Sequence, residues 1–164
     1  TIEHLHPMAD ITVKDTQAQV VAKETFPSKL ELSSEAWEVM RKDAENRFPF
    51  ECCGFFYGKD GEVRKVSLTT VVENSKEGDQ RRRFEISPLD YMRAEKKAAV
   101  EGLDLLGIYH SHPNHPAIPS VYDLKQAVPH FSYIIVSVKE AAFDHVRSWR
   151  LNDDGKFAEE QINY

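Results

Sequence analysis

The stretch GIYHSHPNHPAIPSVYD, residues 107–123, holds three of the chain's seven histidines. His110 and His112 are two apart, and Ser120 precedes Asp123 by three. On an extended strand, residues two apart share a face, about 6–7 Å from one another. Two imidazoles placed so can converge on one ion, at metal–nitrogen distances near ~2.0–2.1 Å. Ser120-Val121-Tyr122-Asp123 also reads as a helix N-terminus, with Ser as cap and an acid three residues on. Both roles fit together, because a first-turn Asp on a helix aimed back at the strand can supply an oxygen ligand. Two nitrogens and one carboxylate oxygen leave a fourth tetrahedral position for water, the arrangement of a catalytic zinc site. The competing reading is an ordinary pair of strand-end histidines beside an ordinary cap.

A metal-activated water needs a base. Glu51 is the candidate, since it opens the buried apolar run Glu51-Cys-Cys-Gly-Phe-Phe-Tyr-Gly, where an unpaired charge is unfavourable. An exposed Glu after Phe48-Pro49-Phe50 is the alternative. Ser120 is the candidate donor to a developing oxyanion, in competition with its cap role.

The elements around these residues follow from pattern. Ser33 or Ser34 opens a helix in which Trp37, Met40, Ala44 and Phe48 recur at helical spacing, and Pro49 follows its end. A short buried strand ends at Gly58, and Lys59-Asp60-Gly61 turns the chain into a long β-rich run over 63–73. Phe84-Glu85-Ile86 is expected as a short strand. Ser87-Pro88-Leu89-Asp90 starts a helix that runs to about Glu101, with Gly102 as its C-terminal cap. Leu103 to Tyr109 is a continuous apolar run, a buried central strand that delivers the histidines at its end. A helix from Ser120 to about Val128 and strands at 133–138, 146–151 and 157–162 complete the pattern. This order implies an α/β fold, a mixed sheet flanked by helices. Residues 1–28 are read as an N-terminal extension and 29–164 as a single domain.

Bulk properties exclude several classes. A net charge of −6 argues against a general nucleic-acid binder. Arg81-Arg82-Arg83 is the basic run, expected as a solvated edge or loop. No apolar run is long enough to span a membrane, and the N-terminal residues lack a signal-peptide pattern. Cys52 and Cys53 are adjacent, so they make no disulfide framework. They are expected as reduced thiols on opposite faces of a strand, in a cytoplasmic protein.

Glu51, then His110-Ser-His112, seven residues from Pro113 to Pro119, then Ser120-x-x-Asp123, resembles the JAMM (MPN-plus) metalloprotease signature. Glu-Cys-Cys-Gly, Val72-Glu73-Asn74, Phe84-Glu-Ile-Ser-Pro and Gly107-Ile-Tyr-His look like its compact prokaryotic members. The resemblance spans about residues 29 to 151 and implies a cytidine-deaminase-like three-layer α/β/α core. It implies one zinc held by His110, His112 and Asp123, with Glu51 as base and Ser120 as oxyanion donor. It further implies hydrolysis after the C-terminal glycine of a ubiquitin-like or sulfur-carrier protein, by a monomer or homodimer. Tyr109, Asn114, Ile118 and Pro119 flank the motif and are the expected contacts to that tail. His115 is expected to face solvent, and residues 73–83 to form a flexible, substrate-facing loop. His4 and His6 lie in the extension, which the resemblance does not explain.

Other readings remain to be weighed. A metallo-β-lactamase-like hydrolase needs His-x-His-x-Asp-His, and this chain has Asn114 in place of that Asp. A zinc deaminase needs Pro-Cys-x-x-Cys, which Cys52-Cys53 does not supply. From another class, the chain could be a zinc-binding adaptor for ubiquitin-like proteins, inactive without a partner. The intact Glu51 disfavours it.

Overall fold

A computed structural model of the chain describes residues 19–164. The extension's His4 and His6 lie outside the described residues. In chain order the elements are β1 (Lys29–Leu32), α1 (Ser34–Arg47), β2 (Cys53–Lys59), β3 (Val63–Val72) and α2 (Pro88–Glu101). They continue with β4 (Asp104–Pro113), α3 (Val121–Lys125), β5 (Ser132–Lys139), β6 (Ala142–Leu151) and β7 (Phe157–Asn163). The helices begin where the caps require. Ser33 Oγ accepts from Ala36 N, Ser87 Oγ accepts from Asp90 N, and Gly102 ends α2 in the left-handed region at φ 65°.

The sheet is mixed, as expected. Its strands run in the order β1-β3-β2-β4-β5-β6-β7. Alternation along the strands splits the core in two. Phe56, Tyr109, Ile134 and Val136 face α1 through Trp37, Met40 and Ala44. Phe55, Tyr57, Ile108, Tyr133 and Ile135 face Ala94 and Ala98 of α2, with Val121 and Leu124 of α3 at the margin. Cys52 and Cys53 fall on opposite faces, both buried and free.

The structure adds a closure that pattern did not predict. β1 pairs in parallel with β3 on one side and with β7 on the other. Four residues after Pro27 are too short for alternation to show, yet Leu30 is fully buried. Residues 19–28 also pack on the domain. Val20 is buried, Ala22 N donates to Phe157 O, and Phe26 N donates to Glu159 O.

Two expected elements differ. Residues 84–86 form no strand; Glu85 N donates to the Asn74 side chain instead. The third helix stops at Lys125 rather than near Val128. No described helix is long and apolar enough to cross a membrane.

Candidate metal centre

β4 stays extended through the motif to Pro113, so His110 and His112 point to the face that carries α2 and α3. Asn114, at φ 59°, then turns the chain out of the strand. Loop 114–119 leads back to α3. There Ser120 Oγ accepts from Asp123 N at 3.1 Å, and Asp123 Oδ2 accepts from Ser120 N at 2.8 Å. This reciprocal cap fixes the Asp123 carboxylate over the histidines. Its Oδ1 lies 3.3 Å from His110 Nε2, and its Oδ2 3.5 Å from His112 Nε2. All three residues are buried.

His112 Nδ1 lies 2.7 Å from the Pro116 carbonyl, which can only accept. The ring proton is therefore on Nδ1, and neutral His112 presents a bare Nε2 to a carboxylate. Neither ring nitrogen of His110 has a hydrogen-bond partner among the described residues. Lone pairs facing a carboxylate in a buried place are stable only with protons or a cation between them. The donor set, two imidazoles and one carboxylate, suits zinc. Burial pushes the Asp123 carboxyl up, but the positive charge that His110 and His112 carry when protonated outweighs it and holds the group well below the ordinary range.

Glu51 sits just before β2. Cys53 pairs with His110, and Cys52 N donates to Ser111 Oγ at 2.8 Å, so Glu51 is locked at the level of the histidine pair. Its carboxylate approaches the ring nitrogens of His112 and His115, all within 4.8 Å of one another. Glu51 is 2% exposed, and its Oε1 has no partner among the described residues. Burial, and then the charges of Asp123 and Asp79, push its carboxyl up to about 9. The alternative of an exposed Glu51 is thereby removed.

The expected flanking contacts divide. Tyr109 is not brought to the site. The alternation that puts His110 on one face puts Tyr109 on the other, fully buried, where its hydroxyl donates to Asp43 Oδ2 at 2.7 Å. Gly54 opposite has no room for a Cβ, which would overlap the Tyr109 ring and the Thr70 carbonyl. Asn114 is exposed, and its Oδ1 accepts from Glu140 N. Ile118 is half-buried and Pro119 buried, both in the loop that enters α3. His115 stays partly exposed, as expected of a loop histidine, but it also has partners at the site. It stacks on His112, with ring centroids 4.0 Å apart, and its Nδ1 reaches the Pro113 carbonyl. Burial, and then His112, lower its pKa.

Three residues that shape the site were missed as site residues. Phe84 stacks on His110 at 4.5 Å. Ser111, between the two histidines, anchors Cys52. Asn74 donates to the carbonyls of Glu51 and Arg83 and accepts from the N–H groups of Lys76 and Glu85. It cross-ties residues 73–85, and Glu51 N adds a bond by donating to the Gln80 carbonyl. From this segment Arg81 approaches the Phe50 ring and Arg83 lies 3.5 Å over the Tyr122 ring, while Arg82 projects outward. The aromatic at 84 and the amide at 74 carry no spacing signal of their own. A cavity of about 840 Å³ between Phe26, Lys29, Glu62 and Gln161 contains none of these residues.

Comparison with known proteins bears on this geometry. A desampylase from Pyrococcus furiosus is 33% identical over 112 residues, 68% of this chain and 74% of that protein. A probable TtuB-protein conjugate cleaving protease from Thermus thermophilus is 41% identical over 71 residues, 43% of this chain and 45% of that one. A solution structure from Desulfitobacterium hafniense matches with a TM-score of 0.72 at 30% identity, covering 82% of this chain and 91% of that one. A JAB1/MPN domain protein from Archaeoglobus fulgidus shares the fold, with a TM-score of 0.50 at 16% identity over 83% of this chain and 99% of that one. The family described as prokaryotic homologs of the JAB domain matches residues 33–152, a span that holds Glu51, His110, His112, Ser120 and Asp123, and the chain belongs to that family.

Proposed function

We propose that this chain is a zinc-dependent isopeptidase that hydrolyses the bond after the C-terminal glycine of a ubiquitin-like protein, such as a sulfur carrier. The observation that carries the reading is the facing of His110 Nε2 and His112 Nε2 onto Asp123 at 3.3 and 3.5 Å, with the unpaired Glu51 carboxyl beside them. The names of the relatives, desampylase and TtuB-conjugate cleaving protease, support the substrate class.

His110, His112 and Asp123 would hold the zinc, which when bound supplies a Lewis acid for the scissile carbonyl and acidifies water. Glu51 takes the proton of the attacking water on its carboxylate. Its apolar setting keeps the carboxyl basic, as a general base near neutral pH requires, and a cation beside it favours the ionised form that can accept. Glu51 then returns that proton to the leaving amine. Ser120 serves twice. Its oxygen lone pair accepts from Asp123 N, and its hydroxyl hydrogen is left to donate to the developing oxyanion. The cap and the oxyanion role therefore draw on different parts of one hydroxyl. Phe84 and His115 wall the histidines and keep bulk water from the ring faces.

The test is hydrolysis of a ubiquitin-like protein fused through its terminal glycine to a reporter, by wild type and by Glu51→Gln. The expected result is turnover by wild type and a loss of roughly 10²- to 10⁴-fold in the variant, with zinc uptake unchanged. Equal inertness of two zinc-loaded proteins would sink the catalytic reading in favour of the adaptor.

A further inference from the structure

The Pro116–Ala117 peptide group is gripped on both sides. Its carbonyl oxygen accepts from His112 Nδ1 at 2.7 Å, and its N–H donates to His145 Nε2 at 3.0 Å. His145 Nδ1 lies 2.6 Å from Asp144 Oδ2. An amide N–H only donates, so His145 Nε2 is bare and its ring proton sits on Nδ1, given to Asp144. Every direction in the chain of bonds is thereby fixed. It runs from His112 through one peptide group to His145 and ends on a carboxylate.

Sheet register explains the meeting. His112 pairs with Ser137 across β4 and β5, and Ser137 pairs with His145 across β5 and β6. The three form one row, and loop 114–119 folds back over it. Ser137 Oγ donates to His115 O at 2.7 Å, and Trp149 Nε1 donates to Ala117 O at 3.0 Å. Of these three clamps, only His145 bonds to the peptide group that His112 touches.

An acceptor backed by a carboxylate draws on the Ala117 N–H and makes the Pro116 oxygen more negative. A more negative oxygen holds the His112 Nδ1–H more firmly and makes Nε2 a better donor to a metal. We infer that Asp144 and His145 are positioning residues for His112, holding its Nδ1–H bond and ring orientation through the Pro116–Ala117 peptide. The consequence for metal affinity rests on reading His112 as a ligand; the consequence for the Nδ1–H bond does not.

Two readouts separate these. In the metal-free chain, proton–nitrogen NMR should show the His112 Nδ1–H of the wild type as a slowly exchanging, hydrogen-bonded proton. His145→Phe removes the acceptor, loosens the hold on the Pro116–Ala117 peptide and should speed that exchange, while His145→Gln, whose amide oxygen still accepts, should restore the slow one. In zinc competition against a chelator, His145→Phe should lose roughly 10- to 100-fold in affinity, Asp144→Asn less, and His145→Gln should stay close to wild type. His145 is partly exposed, with a side-chain accessibility of 38%, so these variants should fold. An unchanged exchange of the His112 Nδ1–H and an unchanged zinc affinity in His145→Phe would overturn the inference. So would equal losses in His145→Phe and His145→Gln that track a fall in melting temperature. A wild-type chain with the slowly exchanging Nδ1–H but no zinc uptake overturns the metal-site reading instead, and the exchange in His145→Phe alone then decides the inference.

Discussion

Glu160, near the closure of the sheet by β1, is 1% exposed, and Glu51, beside the histidine pair, is 2% exposed. The two buried carboxyls have opposite surroundings. Glu160 accepts from Ser148 Oγ at 2.8 Å and from Ser28 Oγ at 2.7 Å. Arg64, also buried at that end, donates to Asp60, to the Leu106 carbonyl and to Ser132 Oγ. Glu51 leaves Oε1 without a partner, and His110 leaves both ring nitrogens so. The fourth such atom among the described residues is Arg150 Nε, on a half-exposed side chain that still bonds Ser28 and stacks on Phe26. A polar cluster built for stability satisfies its members; one left unsatisfied in a buried place awaits something else. The contrast separates the part of this molecule that holds the fold from the part we propose to hold zinc.

Substitutions at the two ends should sharpen that contrast. Asp123→Ala has the largest expected effect, since it removes the carboxylate that both histidines face. Zinc uptake and hydrolysis should disappear together, read by elemental analysis and by the fusion-cleavage assay. Retained hydrolysis would break the assignment. Glu160→Ala should do the reverse. It leaves the buried Ser148 hydroxyl and the part-buried Ser28 hydroxyl without their acceptor and should cost about 2 kcal/mol in denaturant unfolding, while turnover per folded molecule stays at the wild-type level.

Glu51 gives the metal-free chain a pH dependence with a definite sign. Its folded carboxyl is pushed up to about 9, above the ordinary 4.5. The folded state keeps a proton that the unfolded chain gives up. Its contribution to stability is therefore complete below about 4.5 and is lost as pH rises through about 9. Melting temperature of the metal-free chain should fall across that window, and Glu51→Gln, which cannot ionise, should flatten the fall. A wild-type profile no steeper than the variant's would contradict it. The smallest effect belongs to Tyr109→Phe. Loss of the bond to Asp43 on the far face should lower stability by about 1 kcal/mol and leave turnover unchanged.

How much of this was legible in the sequence depends on the range of the interaction. Alternation alone sets His110 and His112 side by side, and the Ser120–Asp123 spacing announces the cap that aims Asp123 at them. The same alternation rules Tyr109 out of the site, a deduction that its closeness to the motif obscured. Helix starts at Ser33 and Ser87 are local, and they fall where the caps predict. β1 is not local. Its four residues become a strand only because β3 and β7 offer edges on both sides. Phe84 carries strand propensity, yet packing against His110 decides its place. His145 meets the Pro116–Ala117 peptide only through the register of β4, β5 and β6, which no spacing in the chain reveals.

The measurement that tests the central claim most directly is zinc content of the purified, zinc-exposed chain by elemental analysis, beside His112→Ala. The account predicts about one zinc per wild-type chain, as a three-ligand site holds one ion, and none in the variant. Equal zinc in both, or none in either, would contradict it and remove the chemistry assigned to Glu51 and Ser120.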